Sequence, residues 1–186
     1  TINDISGIDT LDFSATTTLG VNVNLANTAL QVINAGLSLT LLSASSMENV
    51  IGGVLGDTLT GNILANTLTG GPGNDTMTGG AGDDCYKFVA NANLGGDTII
   101  ESGGGIDTLD FSGTTTQAIA VNLSNAASQV VSPTLSLTLS AGNTIEKIIG
   151  GALGDTLTGN TLANVFTGGG GNDTLAGGAG DDIYLF

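Results

Sequence analysis

The sequence predicts an all-β fold, namely a solenoid of short parallel strands built of two 98-residue repeat units. Three observations predict it. A long segment of the chain occurs twice without a gap, each copy contains four consecutive nonapeptides rich in glycine, and the rest of each copy alternates apolar with polar residues. Internal repeats of this kind are typical of solenoids and related arrays.

The repeat is most evident at "GIDTLDFSATTT", residues 7–18, which returns as "GIDTLDFSGTTT" at residues 105–116. The same offset of 98 relates "GDTLTGN" at 56 and 154, and "GGAGDD" at 79 and 177. Both ends of the chain fall inside this pattern, so we expect it to be a section of a longer array.

The first half of each unit alternates apolar and polar positions. Leu11 and Phe13 are followed by Val21, Val23 and Leu25, and then by leucines at 37, 39 and 41. A period of two predicts short strands with one buried face. A helix over "LANTALQVINAG" is the alternative, although Asn, Thr and Gly disfavour it and the second copy has Pro133 there.

The second half, residues 52–87, has a period of nine: "GGVLGDTLT", "GNILANTLT", "GGPGNDTMT" and "GGAGDDCYK". The leading glycines allow backbone conformations with positive φ, and the three residues after position six predict a strand whose central side chain points inward. Each nonapeptide then forms half a coil, so residues 18 apart stack. Asp57 is expected over Asp75 and Asn66 over Asp84, with Asp155 over Asp173 and Asn164 over Asp182 in the second copy.

These patterns divide the chain into five segments. We expect strand-rich coils at 1–50, a nonapeptide roll at 51–88, a connecting segment at 89–104, strand-rich coils at 105–148 and a second nonapeptide roll at 149–186.

The composition excludes several classes of function. Seventeen acidic residues face two lysines, with no histidine, for a formal net charge of −15. Nucleic-acid binding needs a basic surface, so nucleic acid is not an expected partner. Neither a membrane-spanning apolar run nor a signal peptide is evident, and membrane insertion is not expected. The single Cys85 excludes an intrachain disulfide.

Stacked carboxylates repel each other unless a cation lies between them. Ca²⁺ binds six to eight carboxylate and carbonyl oxygens in flexible geometry, whereas Mg²⁺ needs a tighter octahedron and Zn²⁺ prefers His or Cys. The residue types therefore predict several bound Ca²⁺ ions.

The nonapeptides "GGPGNDTMT", "GGAGDDCYK", "GGGGNDTLA" and "GGAGDDIYL" resemble the RTX (repeats-in-toxin) repeat GGxGxDxUx, with tyrosine at the aliphatic position in two of them. The resemblance implies a right-handed parallel β-roll, or β-helix, in which each Ca²⁺ lies between two stacked loops. Its ligands would be loop carbonyls and the aspartate at position six. The implied ligand residues are Gly53, Leu55, Asp57, Gly70, Pro72 and Asp75 on one side of the first roll, with Asn66, Gly79, Ala81 and Asp84 on the other, and Gly151, Leu153, Asp155, Gly168, Gly170 and Asp173, with Asn164, Gly177, Ala179 and Asp182, in the second.

Some positions depart from the family pattern. Leu55 and Leu153 replace the glycine at position four, and Asn66 and Asn164 replace aspartate, so the sides with asparagine should bind Ca²⁺ weakly or not at all. Asp9, Asp97 and Asp107 resemble further position-six residues, and the alternative is that they cap turns.

The stretch "GIDTLDFS…VNVNL…MENVIGG" also resembles the coils that precede β-rolls in secreted proteins, including serralysin-type metalloproteases. The protease zinc motif is absent, and without His or Arg we expect no enzyme activity.

Three functions remain open. The first is a calcium-binding structural segment of a larger extracellular protein, such as a bacterial surface-layer, fibre or adhesin component. The second is a secretion and folding module of an exported enzyme or toxin, with type I secretion as the candidate route, and the weakest is an ice-binding solenoid. For the first, the expected partners are further repeats of the same chain or neighbouring copies.

Overall fold

The computed structural model describes residues 1–186 and consists of 19 short β-strands without a helix. The strands are β1 (Thr10–Asp12), β2 (Asn22–Asn24), β3 (Gln31–Asn34), β4 (Leu37–Leu39), β5 (Asn49–Ile51), β6 (Thr58–Thr60), β7 (Thr67–Thr69), β8 (Thr76–Thr78), β9 (Cys85–Lys87), β10 (Gly95–Ile100), β11 (Thr108–Asp110), β12 (Ala120–Asn122), β13 (Gln129–Ser132), β14 (Leu135–Leu139), β15 (Lys147–Ile149), β16 (Thr156–Thr158), β17 (Val165–Thr167), β18 (Thr174–Ala176) and β19 (Ile183–Leu185). A membrane-spanning helix, which requires a long apolar stretch, does not occur in this structure.

The strands form two walls of a parallel β-roll. One wall is a single eight-stranded sheet in the order β1-β5-β7-β9-β11-β15-β17-β19. The opposite wall contains the six-stranded sheet β13-β14-β10-β8-β6-β2 and the three-stranded sheet β12-β16-β18. Within each roll, successive nonapeptides alternate between the walls, and Thr58 pairs with Thr76 while Thr67 pairs with Cys85. The predicted 18-residue coil is therefore confirmed.

The core lies between the two walls and is one cluster of 30 buried hydrophobic residues. The central residue of each nonapeptide strand in the first roll points into it, and Leu59, Leu68, Met77 and Tyr86 are fully buried. Tyrosine is tolerated at the inward position because its hydroxyl accepts the N–H of Gly79 at 2.8 Å and donates to the Glu101 carboxylate at 2.5 Å.

Two hairpins interrupt the parallel pattern. β3 and β4 pair antiparallel, as do β13 and β14 in the second unit, so the helical alternative over residues 25–36 is wrong. The side chain of Gln31 fixes the first hairpin, because its amide donates to the carbonyls of Asn24 and Asn27 at 2.9 Å each and its oxygen accepts the Asn24 N–H. Leu37, at the start of β4, remains half-exposed.

The two units form one continuous roll. β9 of the first unit pairs in parallel with β11 of the second, with Cys85 opposite Thr108. The rings of Phe88 and Phe111 stack across this junction with centroids 5.1 Å apart. The segment 89–104 contains β10, which pairs with β8 and β14 and so continues the opposite wall from one unit into the next.

Candidate metal sites

Acidic and amide side chains occupy the residue directly before most of the paired strands, and Asp97 lies at the matching register position within β10. The parallel register aligns these residues from coil to coil in two columns. The front column follows the eight-stranded sheet and contains Asp9, Glu48, Asn66, Asp84, Asp107, Glu146, Asn164 and Asp182. The back column follows the opposite wall and contains Asp57, Asp75, Asp97, Asp155 and Asp173.

In both columns one carboxylate oxygen accepts a hydrogen bond from a backbone N–H of the preceding coil. The N–H of Asp57 donates to Oδ1 of Asp75 at 2.8 Å, and the N–H of Asp75 donates to Oδ1 of Asp97 at 2.9 Å. Asp155 and Asp173 repeat this contact at 2.9 Å, and Asp84 and Asp107 make it at 2.8 Å in the front column. These backbone contacts use only Oδ1 of Asp75 and of Asp84's partner Asp107, whereas Asp57 and Asp155 accept backbone N–H groups on both oxygens.

The second carboxylate oxygen has no hydrogen-bond partner in Asp75 and in Asp84, although both Oδ2 atoms are buried. A buried polar atom without a partner is costly, and a buried charge more so. In the absence of metal, burial raises the pKa of Asp75 to about 6 and, together with the charges of Glu101, Asp107 and Asp83, the pKa of Asp84 to about 7. A bound cation would satisfy both oxygens and keep the carboxylates ionised.

Glycine at position one of each nonapeptide leaves room for these oxygens. A Cβ on Gly52 would collide with Oδ2 of Asp57 and with the carbonyl oxygen of Gly70, and one on Gly70 would collide with Oδ2 of Asp75. In the second unit a Cβ on Gly150 would meet Asp155 and the carbonyl of Gly168 in the same way. The structure thus brings the position-six carboxylate close to the position-one carbonyl of the next loop.

The loops themselves have two conformations. In "GGPGND" the residues at positions two and four have positive φ, 95° at Gly71 and 145° at Gly73, and "GGAGDD" shows the same pattern. In "GGVLGD" and "GNILAN" no residue has positive φ. Both unpartnered oxygens belong to loops of the first kind, which have the full glycine pattern.

The predicted site between Asp57 and Asp75 in the first unit differs from its counterpart between Asp155 and Asp173 in the second. Asp57 also accepts the N–H of Gly53 on Oδ2, at 2.5 Å, so this carboxylate has a backbone partner on each oxygen. The carbonyl of Gly151 accepts the N–H of Gly170 at 2.9 Å, whereas Pro72, the counterpart of Gly170, has no N–H to donate to Gly53. Leu55 and Leu153, at position four of these loops, are about two-fifths exposed.

On the front side, the amide of Asn66 makes the contacts that link adjacent coils. Its oxygen accepts the N–H of Asn62 at 2.7 Å, and its nitrogen donates to the carbonyl of Glu48 at 3.1 Å and to Oδ1 of Asn62. Asn164 is held in the same way by Asn160 and the carbonyl of Glu146. An amide that both donates and accepts needs no cation at this position.

The remaining predicted ligands of the front side lie in stacked loops. The N–H of Ala81 donates to the carbonyl of Asn62 at 3.1 Å, and that of Ala179 to the carbonyl of Asn160 at 3.4 Å. Cβ atoms on Gly79 and Gly177 would collide with the carboxylates of Asp84 and Asp182. Position one is therefore restricted to glycine on this side as well.

Sequence reasoning missed three glutamates at the sites. Glu48 and Glu146 accept the N–H groups of Asp9 and Asp107 at 2.9 Å, and the carboxylate of Glu101 lies beside Asp84 and Asp107. The only available signal for the first two was their recurrence 98 residues apart. Asp9, Asp97 and Asp107, which the sequence left open between ligands and turn caps, all belong to the columns.

The fold and these loops define a parallel β-roll whose glycine-rich turns bring carboxylate and carbonyl oxygens of neighbouring coils close together. A family model for the RTX calcium-binding nonapeptide repeat matches the chain in four copies, over residues 51–85 and 149–184. The two nonapeptide segments of the chain belong to this family of calcium-binding repeats. No curated protein matches the chain.

The residues present fit calcium. The donors are carboxylate and carbonyl oxygens, the chain has no histidine, and its one cysteine is half-buried in β9. Hard oxygen donors in a flexible arrangement are the ligands that Ca²⁺ prefers. Oδ2 of Asp75 and Oδ2 of Asp84 are the buried carboxylate oxygens without a hydrogen-bond partner, so a bound Ca²⁺ would stabilise them most.

Proposed function

We propose that this chain is a calcium-binding structural segment of a larger extracellular protein, such as a bacterial surface-layer, fibre or adhesin component. The observation that carries the proposal is the in-register pairing of β9 with β11, which joins two sequence repeats into one roll with one core. Stacked units of constant length give a quasi-one-dimensional rod in which each unit contacts only its neighbours. Further units of the same chain, or neighbouring copies, would extend this rod.

The rod should fold only where the concentration of Ca²⁺ is high enough to fill its sites. Extracellular calcium modules bind with Kd values of about 10⁻⁴ to 10⁻³ M, so such sites fill outside a cell and not in the cytosol. The net charge of −15 and the buried carboxylates oppose folding until cations bind. Proteins with RTX repeats are typically secreted, which agrees with an extracellular location.

A non-catalytic role fits the side chains. The buried carboxylates of the columns hold backbone N–H groups of neighbouring coils, and the chain offers neither histidine nor arginine for acid–base or anion-binding work. A secretion and folding module would use the same roll and differs only in a catalytic or toxic domain elsewhere in the protein.

Ice binding has less support. Thr58, Thr76, Thr98 and Thr138 form one regular row on the six-stranded sheet. On the eight-stranded sheet, however, Cys85, Lys147 and Val165 interrupt the corresponding row. A flat threonine array therefore does not extend over the longer wall.

The test is calcium-dependent folding and assembly. Far-ultraviolet circular dichroism in EDTA should show a largely disordered chain, and millimolar Ca²⁺ should restore the β-sheet spectrum. At 100 times its Kd, each ion adds about 2.7 kcal/mol to the free energy of unfolding. An unchanged β-sheet spectrum in EDTA would contradict calcium-driven folding.

Electron microscopy of the full-length protein in millimolar Ca²⁺ addresses the structural role separately. Rods or layers are the expected result. Dispersed monomers at every protein concentration would argue against assembly while leaving calcium binding intact.

A further inference from the structure

Three buried carboxylates meet where the two repeat units join. Asp84 and Asp107 precede β9 and β11 in the front column, and Glu101 follows β10 on the opposite wall. Each offers an oxygen within 4.8 Å of the others, and all three residues are at most 5% exposed. Glu101 is the only one of the three that lies outside both columns.

A polar atom without a partner points into this cluster. Oδ2 of Asp84 is buried and makes no hydrogen bond. It lies beside Gly79 together with the Tyr86 hydroxyl and Oε2 of Glu101, which are 2.6 and 2.7 Å from the position that a Cβ on Gly79 would occupy. Three oxygens from three side chains therefore surround a space that any residue other than glycine would fill.

The backbone around the cluster also supplies oxygens. Residues 102–107 stack on the loop 79–84, and the N–H of Gly82 donates to the carbonyl of Gly104 at 3.2 Å. Gly80 and Gly82 have positive φ in one loop, as do Gly104 and Gly105 in the other. The carbonyl oxygens of Gly80 and Gly82 face the next loop, where Cβ atoms on Gly103 and Gly105 would strike them.

Negative charges surround Asp84, namely those of Glu101, Asp107 and Asp83. The second oxygen of Glu101 accepts the N–H groups of Ser102 and Gly103 at 2.9 and 3.2 Å, which holds its carboxylate in place. The free oxygen of Asp84 and the carboxylates of Asp107 and Glu101 thus offer a cation several hard oxygen donors at one place.

We propose that Asp84, Asp107 and Glu101 bind one Ca²⁺ ion at the junction of the two units. Glu101 lies outside the nonapeptide pattern, so the repeat motif assigns it no role. The ion would link the end of one roll to the first coils of the next unit, through ligands from both walls. The proposal rests on the calcium binding of the roll, and its test separates the two.

The first test counts bound ions. Equilibrium dialysis against millimolar Ca²⁺, followed by metal analysis, should give one ion fewer per chain for Glu101→Gln than for the unsubstituted protein. Asp12→Asn is the matched control, because it removes the same charge from an exposed residue outside both columns, and it should keep the full number of ions. Equal numbers in Glu101→Gln and the unsubstituted protein would show that Glu101 only anchors Tyr86, whereas no ions in either would refute calcium binding altogether.

The second test does not require a change at Glu101. The chain has two tyrosines and no tryptophan, so Tyr184→Phe leaves Tyr86 as the only side chain that absorbs at the excitation wavelength of tyrosine and can sensitise Tb³⁺ there. Excitation of tyrosine in this variant should produce Tb³⁺ emission that Ca²⁺ suppresses by competition. If saturating Tb³⁺ gives no sensitised emission although the protein is folded, the ion does not lie beside Tyr86 and the proposal fails.

Discussion

Asp84 and Asp107 are 23 residues apart in sequence, yet the N–H of Asp84 donates to Oδ1 of Asp107 at 2.8 Å. Asp57 and Asp75, only 18 residues apart, make the same contact at the same distance. The coil at the junction is thus longer than a nonapeptide pair but returns its aspartate to the same place. The column, rather than the nonapeptide period, defines where carboxylates stack.

Asp75→Asn should remove one calcium site while preserving the coil. The amide oxygen can still accept the N–H of Asp57, but the charge and the unpartnered oxygen are lost. Above the Kd, each tenfold increase in Ca²⁺ adds about 1.4 kcal/mol per site to the free energy of unfolding. In urea unfolding, the free energy of unfolding should increase between 1 and 10 mM Ca²⁺ by about 1.4 kcal/mol less for Asp75→Asn than for the unsubstituted protein. Asp12→Asn should retain the whole gain, and an undiminished gain in Asp75→Asn would contradict the site. Asp173→Asn tests the counterpart in the second unit.

Asn66→Ala should destabilise the roll without changing its calcium dependence. The substitution removes hydrogen bonds to Asn62 and Glu48 in a fully buried place, which costs about 1 to 3 kcal/mol. The same urea titrations should show a lower free energy of unfolding at both calcium concentrations, with the difference between them unchanged. A smaller difference would mean that Asn66 is a calcium ligand. Asn164→Ala should behave alike.

The calcium-free and calcium-bound proteins should respond to pH in opposite directions. Burial is the largest cause that raises the pKa of Asp75 and Asp107 to about 6 and of Asp84 and Asp97 to about 7, from 3.8. The folded chain then holds more protons than the unfolded chain between pH 4 and 7, so folding without metal weakens as the pH rises through this range. In Ca²⁺ the ligands must lose these protons, so stability rises instead.

Circular dichroism from pH 4 to 7.5 checks this contrast, in calcium-free buffer and in 10 mM Ca²⁺. The β-sheet signal of the calcium-free protein should be strongest near pH 4. A signal that increases with pH in the absence of metal would show that the buried carboxylates are stabilised by something other than a cation.

Gly71→Ala should destabilise the roll through its backbone. Gly71 has a φ of 95°, and a Cβ there would lie 2.5 Å from the carbonyl oxygen of Gly53. A strained backbone of this kind costs about 1 to 3 kcal/mol, and the collision adds to it. Gly36→Ala is the matched control, because its nearest neighbour is 3.8 Å away and its φ is not positive. Thermal unfolding in Ca²⁺ should show a clear loss for Gly71→Ala and almost none for Gly36→Ala; equal losses would mean that loop strain is not the cause.

The local sequence determined the coil. Nine-residue spacing with glycine in front and Thr-Leu-Thr behind suffices to predict the half-coil, the inward Leu59 and Leu68 and the stacking of Asp57 on Asp75, because glycine conformation and strand alternation are properties of neighbouring residues. The choice of calcium follows from the same residues, since few other donors are present. The hairpins of β3–β4 and β13–β14 were not predicted, because antiparallel pairing there depends on side chains such as Gln31 binding the backbone seven residues away.

Only the tertiary structure decided which carboxylates lack partners and which meet. Asp57 and Asp75 occupy the same position of their nonapeptides. Oδ2 of Asp57 accepts the N–H of Gly53, whereas Oδ2 of Asp75 has no hydrogen-bond partner in the chain. Glu101 reaches Asp84 because β10 lies on the opposite wall and the chain turns back beside Tyr86. Contacts between residues from different coils and different walls depend on how the whole roll stacks, so the period of a sequence repeat does not predict them.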